Sequence, residues 1–210
     1  AGIVSAGVAL AGGHYFLGAE PDATGYSYTF LLSFALTMLG LFALSFTVEP
    51  IPPTLRPQRS LLIGLKGIPA LLRDDPTFTR YFVARALATF GRMALPFYIL
   101  HAGQSMALTG SALGIITMAF TLAATFSNLW WGSMGDRYGF RSVYLASLAL
   151  WVASTLLLLI TSGLAASIAV FIGIGAASQG FQNASQNLTL EFGQRQDLPM
   201  RIAIANTAAE

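Results

Sequence analysis

Residues 130–142 read WWGSMGDRYGFRS, and this short stretch decides how the rest is read. It places Asp136, Arg137 and Arg141 between two long runs without formal charge. Residues 93–135 contain no Asp, Glu, Lys or Arg, and neither do residues 142–190. About 20 apolar residues at 1.5 Å each cross the hydrocarbon core of a bilayer. A charged pause of ten residues between two such runs is what a turn between membrane helices requires. Composition agrees: 55% of the 210 residues are apolar and only 10% are charged, against about 25% charged in an ordinary soluble domain.

Helices are expected rather than strands. A lipid-facing barrel strand alternates apolar and polar over about ten residues. Here the runs are continuous and about twice that long. Backbone groups in lipid must be satisfied within the segment, which a helix does. The fold class expected is therefore all-α, a polytopic helical membrane protein.

Six spans can be placed, at roughly 1–18, 27–48, 82–102, 108–131, 142–160 and 164–190. The run 142–190 is too long for one span, and TSGL at 161–164 breaks it. GAEPDATGY at 18–26 separates the first two spans. The chain begins inside an apolar run and ends soon after a basic one, so it reads as a piece of a longer protein.

Lys and Arg sort by loop. Segment 49–81 holds Arg56, Arg59, Lys66, Arg73 and Arg80; loop 132–141 holds Arg137 and Arg141; segment 191–202 holds Arg195 and Arg201. Loops 19–26, 103–107 and 161–163 hold none. Successive loops alternate sides, and all three basic loops fall on one side. The positive-inside rule makes that side cytoplasmic. The membrane expected is a plasma membrane or a bacterial inner membrane.

Segment 49–81 opens with EPIPPTLRP, four prolines in nine residues, which no regular helix accepts. Leu61, Leu65, Ile68 and Leu72 then recur at helical spacing, with Pro69 expected to bend or divide any helix. Either an amphipathic helix on the membrane surface or a partly ordered linker fits this pattern.

The signature GSMGDRYGFR resembles the cytoplasmic loop of the major facilitator superfamily: glycine, three residues, aspartate, a base, one residue, glycine, one residue and two bases. Gly132, Asp136, Arg137, Gly139 and Arg141 match; Ser142 stands where the last base is expected. The resemblance implies twelve helices in two bundles. Residues 1–48 would be the last two helices of the first bundle, 49–81 the central cytoplasmic loop, and 82–210 part of the second bundle. The chain would then cover about helices five to ten and the start of eleven. Gly132 and Gly139 would allow close helix approach and a tight turn. The charges either act as a gate latch, making contacts that form in one conformation and break in another, or only enforce topology.

Arg92 lies about mid-span, where an ionised group is costly unless it faces protein or water. It either holds an anionic group of a substrate or pairs with an acid of another helix. Arg85, seven residues earlier, is expected to snorkel toward the interface. Gln179, Gln182, Asn183, Gln186 and Asn187 form one polar stripe on the last complete span, either lining an aqueous path or bonding between helices. Pro96 is expected to kink its helix. Trp130 and Trp131 are expected in the interfacial aromatic belt, with Asn128 beside them.

No cysteine is present, and two histidines form no metal cluster. Neither cofactor nor metal is expected, and the bases make no nucleic-acid module. No HExxH, GxSxG or phosphate-binding glycine loop occurs. The partners expected are the lipid bilayer and an unidentified small solute, with proton or ion coupling left open because no acid sits mid-span. The function expected is a secondary transporter working by alternating access. The competing readings are a non-transporting receptor or assembly subunit of the same fold, and a membrane enzyme.

Overall fold

The computed structural model describes residues 2–17, 23–47, 61–192 and 198–207. Among them there are helices and no strands. Helix α1 (Gly2–Gly12) continues into a π-helical turn, Gly13–Leu17. There follow α2 (Ala23–Leu44), α3 (Leu61–Asp74), α4 (Pro76–Arg92), α5 (Leu95–Ala102), α6 (Gly110–Tyr138), α7 (Phe140–Ile160), α8 (Leu164–Glu191) and α9 (Leu198–Thr207). Among the described residues, five stretches are long and apolar enough to cross a membrane: α2, α4–α5 together, α6, α7 and α8.

Helix α8 packs against both α6 and α7, and α1 lies on α6. Glycines set the closest approaches. A Cβ added at Gly114 would lie 3.2 Å from the Ala9 carbonyl oxygen and 3.4 Å from Gly13 Cα, so α1 and α6 touch backbone to backbone. The core has two parts. One gathers Phe78, Tyr81, Trp131, Val143, Tyr144, Phe181 and Leu188. The other gathers Tyr98, Ile116, Trp151, Leu158, Val170 and Ile174. By contrast α2 exposes its large apolar side chains, Phe30, Phe34, Leu39 and Phe42 among them. That is how a helix against lipid looks.

The turn that opens the sequence reading is smaller than expected. Residues 132–138 are the last two turns of α6, and Gly139 alone separates α6 from α7. Its φ of 80° and ψ of 154° belong to a region that is essentially glycine-only. Ser142, where the signature has a base, donates its hydroxyl to the Tyr138 carbonyl at 3.0 Å. It thereby satisfies a carbonyl that the end of α6 would leave open. Gly139→Ala should lower stability by about 1–3 kcal/mol, seen as a fall in thermal midpoint; an unchanged midpoint would show that the turn tolerates a side chain.

Two prolines meet the helices in different ways. Pro69 lies inside α3 without dividing it, and Ile68, Leu71 and Leu72 pack against the core. The α4–α5 stretch is interrupted at Met93–Ala94, just before Pro96. There Met93 N–H bonds Phe90 O and Ala94 N–H bonds Gly91 O, a tightened turn.

The ends of the bundle sort by sequence segment. Gly163 N–H donates to Ser105 Oγ at 3.2 Å, joining the turns after α5 and α7. At the opposite end of α4–α5, Arg201 meets Asp75. Among the described residues, two base-free turns thus meet at one end, and Asp75 and Arg201 pair at the other.

Candidate functional site

Two of the polar clusters within the spanning helices reach α8, one half-exposed and one buried. The first lies between α6 and α8. Gln179 Nε2 donates to Asn183 Oδ1 at 3.2 Å, Asn183 Nδ2 donates to Asn128 Oδ1 on α6, and Asn187 Nδ2 donates to the Asn183 carbonyl at 2.9 Å. Gln182 and Gln186 are exposed, with no hydrogen bond to any described residue. The exposed stripe of α8 changes character along its length. It is apolar at Ala165, Ala169 and Ile172, and polar from Gln179 to Gln186, toward the basic end.

Asn128 ends a matching stripe on α6. Thr117, Thr121, Thr125 and Asn128 follow helical spacing, and none of them is buried. The three threonines donate to carbonyls four residues back, each at 2.8 Å. These bonds return the hydroxyls to their own helix and leave oxygen lone pairs available on its face. The threonine stripe is absent from the sequence reading because threonine is common in apolar spans. Its spacing is the signal that could have found it.

The second cluster ties α4, α8 and α9. Tyr81 Oη lies 2.6 Å from the Ser185 carbonyl and 2.9 Å from Thr189 Oγ1. Arg85 Nη1 donates to both Tyr81 Oη and Thr189 Oγ1 at 3.3 Å, and Nη2 donates to Asn206 Oδ1 at 3.3 Å. Arg85 is only 7% exposed. It does not snorkel; facing hydroxyls on its own helix and on α8 hold it inside, which spacing along one helix cannot reveal.

Nearer the basic end, Asp75 caps α4. Its Oδ1 accepts from Phe78 N–H at 3.0 Å, and its Oδ2 accepts from Arg201 Nη1 at 2.6 Å. The Phe78 N–H first, and then the Arg201 guanidinium, hold its carboxyl below the ordinary value of 3.8, against an opposing effect of burial. Arg201 also stands 5.0 Å over the Phe78 ring.

Arg92 is half-buried, its guanidinium 5.7 Å over the Phe181 ring, a cation–π distance. Among the described residues it meets no acid. It does not join the amide ladder by any hydrogen bond. In the signature turn, Asp136, Arg137 and Arg141 are all exposed and without an ion pair among the described residues. Gly132 faces open space, so the close contact expected of it falls to Gly135, where an added Cβ would lie 2.6 Å from the Phe140 ring. Trp130 is exposed as an interfacial residue would be, but Trp131 is 1% exposed and donates Nε1–H to the Ala176 carbonyl at 2.8 Å. It is a core residue, seated on Gly180.

Comparison with known proteins joins this geometry to a family. The sequence pattern described as Major Facilitator Superfamily matches residues 81–210. The chain belongs to the Major Facilitator Superfamily. As a Major Facilitator Superfamily protein with several long apolar helices, it is an integral multi-pass membrane protein. It is 29% identical over 142 residues to the MFS antiporter QDR3 of Candida albicans, a match covering 61% of this chain and 20% of that protein. The match thus takes in about a fifth of that relative's length. No solved structure matches.

Proposed function

We propose that this chain works in a secondary transporter that carries a small solute across a membrane by alternating access. The observation that carries the reading is two polar stripes that are not buried, joined by the bond from Asn183 to Asn128: Thr117, Thr121, Thr125 and Asn128 on α6, and Gln179, Gln182, Asn183, Gln186 and Asn187 on α8. A polar stripe serving only helix–helix adhesion would be buried in dry contact. Here Gln182 and Gln186 are exposed, as groups wetted by an aqueous path would be. Arg92 stands at the helix interruption, a common place for a binding group in transporters. Family membership supports transport, and the relative named as an antiporter supports exchange against a second solute or an ion.

In this reading residues 1–48 and 82–210 belong to different bundles, and the glycine contact between α1 and α6 is the seam on which they rock. The basic ends of the helices face the cytoplasm, and the protein is not an enzyme. Flux of candidate solutes into and out of vesicles holding the protein, with and without a proton gradient, tests the proposal. Saturable movement supports it; binding of a solute without movement would favour a receptor.

The signature turn serves as the latch. Asp136 is exposed here and lies one turn before the glycine hinge. Asp136→Asn should reduce transport about tenfold at matched membrane abundance, since losing a charge-assisted contact of about 1.5–3 kcal/mol in one state shifts the conformational balance. Equal transport by the variant would remove the latch role.

A further inference from the structure

Two arginines in this protein are equally buried, and the chain treats them differently. Arg201 and Arg85 are each 7% exposed. Arg201 has a carboxylate at 2.6 Å, the short distance of a charge-assisted bond. Arg85 has three neutral oxygens, all at 3.3 Å, and no carboxylate among the described residues. The Nε of each arginine is buried without an acceptor. Beside Arg85 a second donor is unused. The Tyr144 ring lies 6.3 Å from the Tyr81 ring, and its buried hydroxyl has no partner. The surroundings of Arg85 are therefore rich in donors, and its own bonds are long.

An arginine fixed this deep inside a membrane bundle is costly unless a negative group answers it. Three long bonds to hydroxyl and amide oxygens answer it poorly and are easily exchanged for an oxyanion. Asn206 is the most exchangeable, because it is exposed while Tyr81 and Thr189 are buried. Seven residues further along α4, about 10 Å away, Arg92 stands over Phe181, whose ring is 5.3 Å from that of Tyr144. Phe181, Tyr144 and Tyr81 thus form an aromatic floor joining the two cations.

We propose that Arg85 is an oxyanion-binding residue, and that the solute class served by this site carries a carboxylate or phosphate group that displaces Asn206 from its guanidinium. This rests on the transporter reading for its meaning, but binding at Arg85 is measurable without transport. An oxyanion could arrive as a free solute or as a lipid headgroup, and the test separates the two.

The protein is purified into phosphatidylcholine vesicles, and its thermal midpoint is followed with added benzoate, with inorganic phosphate, and with phosphatidylglycerol in the bilayer. A concentration-dependent rise with either soluble anion identifies a solute site; a rise with phosphatidylglycerol alone identifies a lipid headgroup. Both support an oxyanion site if Arg85→Gln abolishes the rise and Arg85→Lys retains part of it. Asn206→Ala is the decisive variant, because a folding defect cannot imitate a gain. Removing the competing amide should tighten apparent anion affinity about fivefold, the effect of one ordinary hydrogen bond. No rise with any probe, an equal rise in Arg85→Gln, or unchanged affinity in Asn206→Ala would overturn the proposal. Anion binding without flux would leave Arg85 as an oxyanion site and count only against the transporter reading.

Discussion

Asp75→Ala should be the most damaging single substitution at the basic end of the bundle. It removes the side-chain cap of α4, worth about 1 kcal/mol. It also strands Arg201, which is 7% exposed and has no other acid among the described residues. Breaking a fully buried pair by removing one partner costs about 3–5 kcal/mol. The Asp75 side chain is 27% exposed, so solvent screens part of this, and about 3 kcal/mol in total is the figure to expect. Asp75→Asn should cost less, because asparagine still caps the helix. The acid dependence has a definite sign. The carboxyl of Asp75 is held below 3.8 in the folded protein, so its contribution is present above the unfolded value. It is lost as pH falls through the lower folded value. Thermal midpoints measured from neutral pH to about pH 3 should show the variants and the unaltered protein converging in acid. A constant gap across that range would mean that the charge of the Asp75 carboxylate, toward Phe78 N–H and Arg201 together, contributes nothing.

The second large effect is expected at Gly175, in the middle of the α6–α8 contact. A Cβ there would fall on the Phe120 carbonyl oxygen and within 3.0 Å of its carbonyl carbon. Both are backbone atoms, so no side chain can step aside, and the two helices must separate. Overpacking of this kind costs about 1–3 kcal/mol, and in this place it would also pull the two polar stripes apart. Gly175→Ala should therefore lower both the thermal midpoint and any solute flux. Gly132→Ala is the control. Its Cβ would meet nothing within 4 Å, and replacing a helical glycine should stabilise by up to about 1 kcal/mol. If both variants behave alike, the close approach at Gly175 is not what holds α6 to α8.

The membrane helices were legible because the bilayer demands long apolar runs, and the run lengths leave few alternatives. Residues 132–138 were read as loop because their charges and glycines outweigh helix propensity in a local count. In the structure α6 carries its charges on past the end of its apolar run, and one positive-φ glycine makes the whole turn. Trp131 was misplaced for a related reason. An aromatic pair at a span's end usually marks the interface, but here one ring of the pair turns inward onto Gly180. The amide stripe was visible because five amides on one helix face have no bland composition. Arg85 was missed because what holds it comes partly from α8 and α9, more than 100 residues away in sequence. No one-dimensional spacing carries that information.

Transport along α8 requires that its Gln179–Gln186 face be wet. The chain has no cysteine, so a single introduced thiol reports its own position. Gln182→Cys places one on that face; Ala149→Cys places one on the exposed side of α7 at the middle of its span. In vesicles, a charged, membrane-impermeant thiol reagent should modify Gln182→Cys readily and leave Ala149→Cys almost untouched. Equal, slow modification of the two thiols would put α8's amides against lipid or dry protein and rule out an aqueous path along them.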